Sequence, residues 1–417
     1  MKLKKIQIKS YAHLKDLELD FTYQSGERKG EALDKICFIG QSGTGKTTIL
    51  NLIADFCNNA LSYNNLIKYN KAFFVAEFPG GTIIPIISSS QHSIRLSEEY
   101  KPGPKVPNRG PKYEGTISGH KRILLYLTAE LITSKPQAFE LVNKTKKSEV
   151  HGSRVAPELV VKIDQKTGVH VWDYILWEIH DFDTKLSAKG EELIKDGKHS
   201  DPVRFKDEMD NWLEKNPNPR ADLAEKCINP LLRKLHLELD KSVSIAPVVI
   251  KLISENHDVP SEFLSTGTKQ LILSSLPIYK LGSPECIICI DEPERSLFPD
   301  IQMELIPYYV QMQPTAQFVV ATHSPVIAAS FKPEERFILY FDKTGDVRIK
   351  RGYAPEGDDP NDILKEDFEL THLMNEFGIR MYERYRELKQ KALNEKDPIH
   401  KTELIKEAVA LGDKYNF

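Results

Sequence analysis

The chain has 417 residues, 40% of them apolar and 28% charged, with a formal net charge of −3. That length exceeds what one core usually holds, so two lobes are expected, and the composition is that of a soluble globular protein. A net charge so near zero excludes a global basic field and leaves only local patches for contact with nucleic acid.

The start, MKLKKIQIKSYAHL, alternates apolar and polar residues where a signal peptide would carry a continuous apolar core, and it reads as a strand. No apolar run approaches the roughly 18–20 residues that span a bilayer, so no membrane partner is expected. Residues 3–8 and 17–21 alternate in period two and predict an antiparallel pair. KICFIG (35–40) is a short apolar strand running into Gly40, and TTILNLIADF behind it has helical spacing. AFFVAEF and TIIPIIS are further strand-like runs. YKPGPKVPNRGPKYEG (100–115), with four prolines and three glycines, predicts a loop. KRILLYLTAEL follows as a buried strand.

From about residue 135 the character changes. All three tryptophans, Trp172, Trp177 and Trp212, lie here, and VWDYILWEIHDF and RADLAEKCINPLLRKLHLEL carry apolar residues at helical spacing. APVVIKLISENHDVPSEF then returns to strand pattern. ECIICIDEP and QFVVATHSP are continuous apolar runs, as expected of strands buried on both faces in a parallel sheet flanked by helices. LMNEFGIRMYERYRELKQKAL and KTELIKEAVALGDKYNF close the chain as charged amphipathic helices that pair with each other or with the insertion. The expected divisions are an N-terminal lobe (1–134), a helical insertion (135–244), a C-terminal lobe (245–355) and a helical segment (356–417).

The five cysteines are odd in number and lie mostly in apolar runs, which fits a reduced cytoplasm. Cys286 and Cys289 form a C-x-x-C, but residues three apart on a strand point to opposite faces and cannot share a metal. They are expected in the core.

GQSGTGKT fits G-x-x-x-x-G-K-[ST] with Gly40, Gly45, Lys46 and Thr47, between a strand and a helix. The nucleotide-binding candidates are therefore Gly40, Gln41, Ser42, Gly43, Thr44, Gly45, Lys46, Thr47 and Thr48. The glycines let backbone N–H groups converge on phosphates, Lys46 reaches the β/γ oxygens, and the Thr47 hydroxyl ligates Mg²⁺. CIICIDEP ends a strand in two acids: Asp291 would hold Mg²⁺ opposite Thr47, and Glu292 would orient or deprotonate an attacking water. His323, ending the next strand, is placed to sense a γ-phosphate. A second helix entry, FLSTGTKQLI (263–272), also offers N–H groups to an anion.

The order of these motifs resembles the ABC-type ATPase head, in the branch containing SMC, RecF and OLD-like proteins. LSTGTKQ follows the phosphate loop, IICIDEPE comes 26 residues on from Ser265 to Asp291, and ATHS a further 32 on to His323. LSTGTKQ is similar to that family's signature, L-S-x-G-x-x-Q, at Leu264, Ser265, Gly267 and Gln270. The resemblance implies an α/β fold: a phosphate-loop parallel sheet plus antiparallel N-terminal strands, with an inserted helical subdomain and C-terminal helices. It implies ATP and Mg²⁺ as ligands and ATP hydrolysis as the activity. It also implies that Ser265 and Gly267 of one subunit contact the γ-phosphate of ATP held by another, so that a homodimer or higher homo-oligomer forms through the ATP sites.

DEPERSLFP and PNDILKEDFEL further resemble the compact ATPases of prokaryotic antiviral systems such as Septu and PARIS. This implies a cytoplasmic, nucleotide-dependent sensor or scaffold controlling a separate effector, a nuclease or toxin, with a nucleic acid or a phage protein as trigger. The alternative is a DNA-binding ATPase of recombination or repair. The chain departs from transporter ATPases at Phe298, which stands at the D-loop aspartate, and no Q-loop glutamine follows ILLYLTAE. A nuclease domain is disfavoured because only 94 residues follow His323. Lys101, Lys105, Arg109 and Lys112 of the Pro/Gly-rich loop, with Lys144, Lys146 and Lys147, suit contact with phosphates or an acidic partner and equally suit a solvated loop.

Overall fold

The computed structural model describes residues 2–61, 72–77, 83–87, 124–129, 160–242, 248–282, 286–355, 359–370 and 373–417. The Pro/Gly-rich loop at 100–115 and the lysines at 144, 146 and 147 lie outside the described residues.

The period-two patterning at the chain start produces an antiparallel sheet. β1 (Lys2–Tyr11) pairs with β2 (Leu14–Asp20), setting Ile6 opposite Leu19 and Ile8 opposite Leu17. β4 (Ala72–Glu77) and β5 (Ile83–Ile87) complete it in the order β2-β1-β4-β5.

The apolar runs build a second, seven-stranded sheet. Its members are β3 (Lys35–Gly40), β6 (Leu124–Leu127), β7 (Val160–Ile163), β11 (Ile287–Asp291), β12 (Gln317–Ala321), β13 (Arg336–Phe341) and β14 (Val347–Arg351), in the order β14-β13-β3-β12-β11-β6-β7. All pairs are parallel except β13 with β14. A third sheet joins β8 (Leu237–Leu239), β9 (Ile250–Leu252) and β10 (His257–Asp258).

Alternate residues of the parallel strands enter two separate cores, as a period of two requires. On one face Ile36, Phe38, Ile287, Val319 and Ala321 pack with β1, β2 and helix α1 (Lys46–Leu61), whose Ile49, Leu50, Leu52 and Ile53 are buried. On the other face Cys37, Ile39, Ile288, Phe318 and Val320 pack with three more helices. These are α2 (Gln165–Lys195), α4 (Thr266–Leu281) and α5 (Pro299–Met312). Cys286 and Cys289 fall in opposite cores, both buried and unlinked. Burial pushes the thiols of Cys37, Cys227 and Cys289 well above the usual range, so they are inert fillers.

The stretch from 135 onward differs from expectation in two respects: β8, at the end of RADLAEKCINPLLRKLHLEL, is a strand of the third sheet, and β7 joins the main one. α2 and α3 (Pro202–Lys215) are helical, but β7 within it is the edge strand of the main sheet, with Val161 opposite Leu125. Four residues, VVKI, are too short a run to stand out against the helical spacing that follows. At the C-terminus, α6 (Glu376–Asn394) and α7 (Pro398–Tyr415) form an antiparallel hairpin, with Phe377 against Tyr415 and Arg384 paired to Glu407. Among the described residues no helix is long and apolar enough to cross a membrane.

Candidate active site

Three parallel strands end side by side, β3 next to β12 next to β11, and their C-terminal ends carry the polar residues. This is the edge where open α/β sheets bind ligands. Gly40 leaves β3 at φ 133°, and a Cβ there would lie 2.0 Å from the Leu339 carbonyl oxygen, so only glycine lets the chain turn. The turn feeds directly into the N-terminus of α1, where free N–H groups and the helix dipole favour an anion. Gln41, Ser42 and Gly43 are exposed along the loop, whereas Thr44 is buried and its hydroxyl donates to the Gln41 carbonyl at 2.8 Å.

Lys46 is buried, and its Nζ donates to the carbonyls of Gly40 and Gln41 at 2.9 and 3.0 Å. Burial draws its pKa down, opposed by the charges of Asp291, Glu292 and Glu294. Thr47 Oγ1 donates to Asp291 Oδ1 at 3.2 Å. These two oxygens, one at the helix start and one at the end of β11, form a hard-donor pair that suits Mg²⁺, which typically shares its remaining positions between water and substrate phosphate. Burial pushes Asp291 up to about 6, with the Thr47 bond and Lys46 pulling the other way.

Glu292 sits just beyond β11 in the left-handed region, at φ 50°, a conformation that typically costs about 1–3 kcal/mol and clusters at functional sites. Its N–H donates to the Ala321 carbonyl of β12, and its carboxylate pairs with Arg295 at 2.8 Å. Arg295 in turn donates to the carbonyl of Ala129, just past β6. His323 follows β12; burial and the neighbouring Lys46 charge lower its pKa, so the ring is neutral at pH 7. Its backbone N–H donates to Glu294 Oε1 at 2.7 Å. Glu294 and Arg295 are the residues that sequence reasoning missed. DEPERSLFP put them in view, but nothing in the string tells which acid after a strand turns inward.

The signature opens α4, which packs on the other face of the sheet. Ser265 caps α4, its Oγ accepting the Thr268 N–H at 3.0 Å, and it is exposed. Gly267 packs against the turn after β11, where a Cβ would come 2.4 Å from the Ser296 carbonyl oxygen. α4 belongs to the core on the face of the sheet away from α1. The fold therefore brings Lys46, Thr47, Asp291, Glu292 and His323 together at one edge, while Ser265 and Gly267 stand on the α4 side.

Sheet and site define a phosphate-loop ATPase. The chain belongs to the AAA ATPase domain family, matching it over residues 1–151 and 88–328. It is 22% identical over 364 residues to the Septu protein PtuA of Bacillus thuringiensis, spanning 84% of this chain and 78% of that relative. In solved structures it is similar to the SMC head domain from Thermotoga maritima, at 12% identity and a TM-score of 0.39, covering 85% of this chain and 100% of that one. An SMC head bound to the C-winged helix domain of ScpA matches at 10% identity and a TM-score of 0.40, covering 84% and 97%.

Proposed function

We propose that the protein is an ATP-driven switch in which two copies enclose ATP between them, and that this closure controls a separate effector protein in cytoplasmic antiviral defence. One copy supplies the phosphate loop, Asp291, Glu292 and His323; the other supplies Ser265 and Gly267. The carrying observation is the division of the molecule by its main sheet, with α1 on one face and α4 on the other. A signature helix on the far face serves a neighbour's nucleotide, not its own. Phe263 and Phe298 beside the signature, 76% and 74% exposed, supply apolar area for that neighbour to cover. The link to defence rests on similarity to PtuA, and a nuclease or toxin is the expected effector, with a nucleic acid or phage protein as trigger.

In this reading Lys46 reaches the β/γ oxygens, and α1 receives the phosphates at its N-terminus. Thr47 and Asp291 would hold Mg²⁺, which supplies charge neutralisation at the phosphates. Neutral His323 donates an N–H toward the γ-phosphate. Glu292 must part from Arg295 before it can accept the proton of the attacking water.

The test is Ser265→Arg. Its bulk and charge should leave ATP binding to single copies intact while abolishing turnover and ATP-dependent association, measured by nucleotide titration and light scattering. Parental turnover in Ser265→Arg would sink the shared-site reading.

A further inference from the structure

We propose that the C-terminal hairpin joins two copies of the chain without nucleotide, α7 of each copy lying antiparallel along the groove of the other to make a four-helix bundle. This contact stands apart from the one that encloses ATP, and its test is made in the absence of ATP.

α6 and α7 are 19 and 18 residues long, yet only Leu388, Ala392 and Ala408 are buried in them. The two helices pack chiefly on each other, and neither makes a broad contact with any described element of the lobes. An antiparallel pair leaves one apolar side uncovered, and bundles cover it with a second pair. Here the uncovered side is a groove of about 640 Å³ between the helices, with Ala392 and Ala408 in its lining. Leu393, Ile405 and Val409 also line it, at 78%, 46% and 53% exposure. Apolar side chains exposed together in this way mark an interaction surface. The face is preformed. Phe417 lies against Tyr382 and Tyr385, Phe377 against Tyr415, and Arg384 pairs with Glu407 at 2.6 Å. A surface already ordered loses little entropy on binding.

The pattern along α7 selects the occupant. Lys401, Ile405, Val409 and Asp413 follow one another at intervals of four, and all line the groove. An antiparallel two-fold pairing centred on Glu407 sets positions equally far from the centre opposite each other. It brings Ile405 against Val409 of the other copy and, in the same register, Lys401 against Asp413. One helix is thus complementary to itself in both apolarity and charge. Within a single copy the two charges cannot meet, because twelve residues of helix separate them by about 18 Å, well beyond the screening length of about 8–10 Å. The hairpin also carries basic and acidic residues in near balance, so a second copy is not repelled.

Sedimentation equilibrium of the full chain, without nucleotide and at low ionic strength, tests the contact. The parent should be a dimer at micromolar concentration. Ile405→Glu combined with Val409→Glu changes two side chains exposed in the single copy, so helix content by circular dichroism should stay parental. The dimer dissociation constant should rise on the order of 10²-fold or more, since like charges would face each other across the two-fold. Lys401→Asp or Asp413→Lys alone places like charges opposite at both ends and should raise it on the order of 10-fold. The two exchanges together should return it to the parental value, which only a contact between copies in this register produces. A monomeric parent overturns the inference, whatever other molecule then covers the groove. So does a dissociation constant unmoved by the paired glutamates, or a charge exchange that fails to restore it. If the paired glutamates cost helix content, the charge exchange alone decides between these outcomes.

Discussion

At the end of β11 a single carboxyl shows how burial and charge oppose one another. Asp291 rises from an unfolded value near 3.8 to about 6 in the folded chain. Between those values the native state binds more protons than the unfolded state, so stability falls as pH rises from about 4 to 6 and stays lowered above. Asp291→Asn removes that burden. Without nucleotide or metal, the variant should be more stable than the parent at pH 8 by on the order of 2–3 kcal/mol, the gap closing near pH 4. Urea unfolding at both pH values measures it; a gap independent of pH would mean that ionisation is not its source. Adding Mg·ATP should reverse the order, since only the parent retains the anionic ligand.

Between elements, the entry of α4 against the turn after β11 makes a close backbone contact. Gly267 is part of the pattern that suggests phosphate contact, yet packing gives it a second reason to be glycine. A Cβ would meet the Ser296 carbonyl oxygen at 2.4 Å, and that turn is held by the hydrogen bond from Leu297 to Glu294. Gly267→Ala should therefore lower stability by about 1–3 kcal/mol even without nucleotide, read as a fall in the melting temperature. It should also slow turnover, because the same turn carries Glu292. A variant of parental stability that fails only to associate would assign Gly267 to the phosphate alone.

For the molecule as a whole, the reading predicts that hydrolysis opens what ATP closes. Glu292→Gln keeps size and reach but removes the basic charge, a change that typically costs about 10²–10⁴-fold in rate without loss of binding. This variant should hold ATP and remain associated, seen as a higher mass by light scattering in Mg·ATP that persists after the parent has returned to its starting state. Parental turnover in Glu292→Gln would remove the residue from the mechanism and leave the water to His323 or to a residue of the other copy.

What the sequence determined by itself was local. GQSGTGKT carries its pattern in eight consecutive residues, because positive-φ glycines and a helix start are legible along the string, although the close approach of Leu339 to Gly40 is not. The apolar runs of β3, β11 and β12 declared themselves buried on both faces by composition alone, and Cys286 and Cys289 were assigned to opposite faces by a period of two. The tertiary structure decided what depends on neighbours remote in the chain. β7 was hidden because four residues acquire strand character only by pairing with β6. Glu294 was passed over because its direction is set by the N–H of His323, 29 residues away. The separation of Lys46 from Ser265 depends on which face each helix covers, and that follows from strand order β3-β12-β11, which pairs segments from both halves of the chain. Backbone preferences act between adjacent residues and can be read along a string. Register, facing and desolvation arise only when non-local strands meet, and they decide which of several acids belongs to the site.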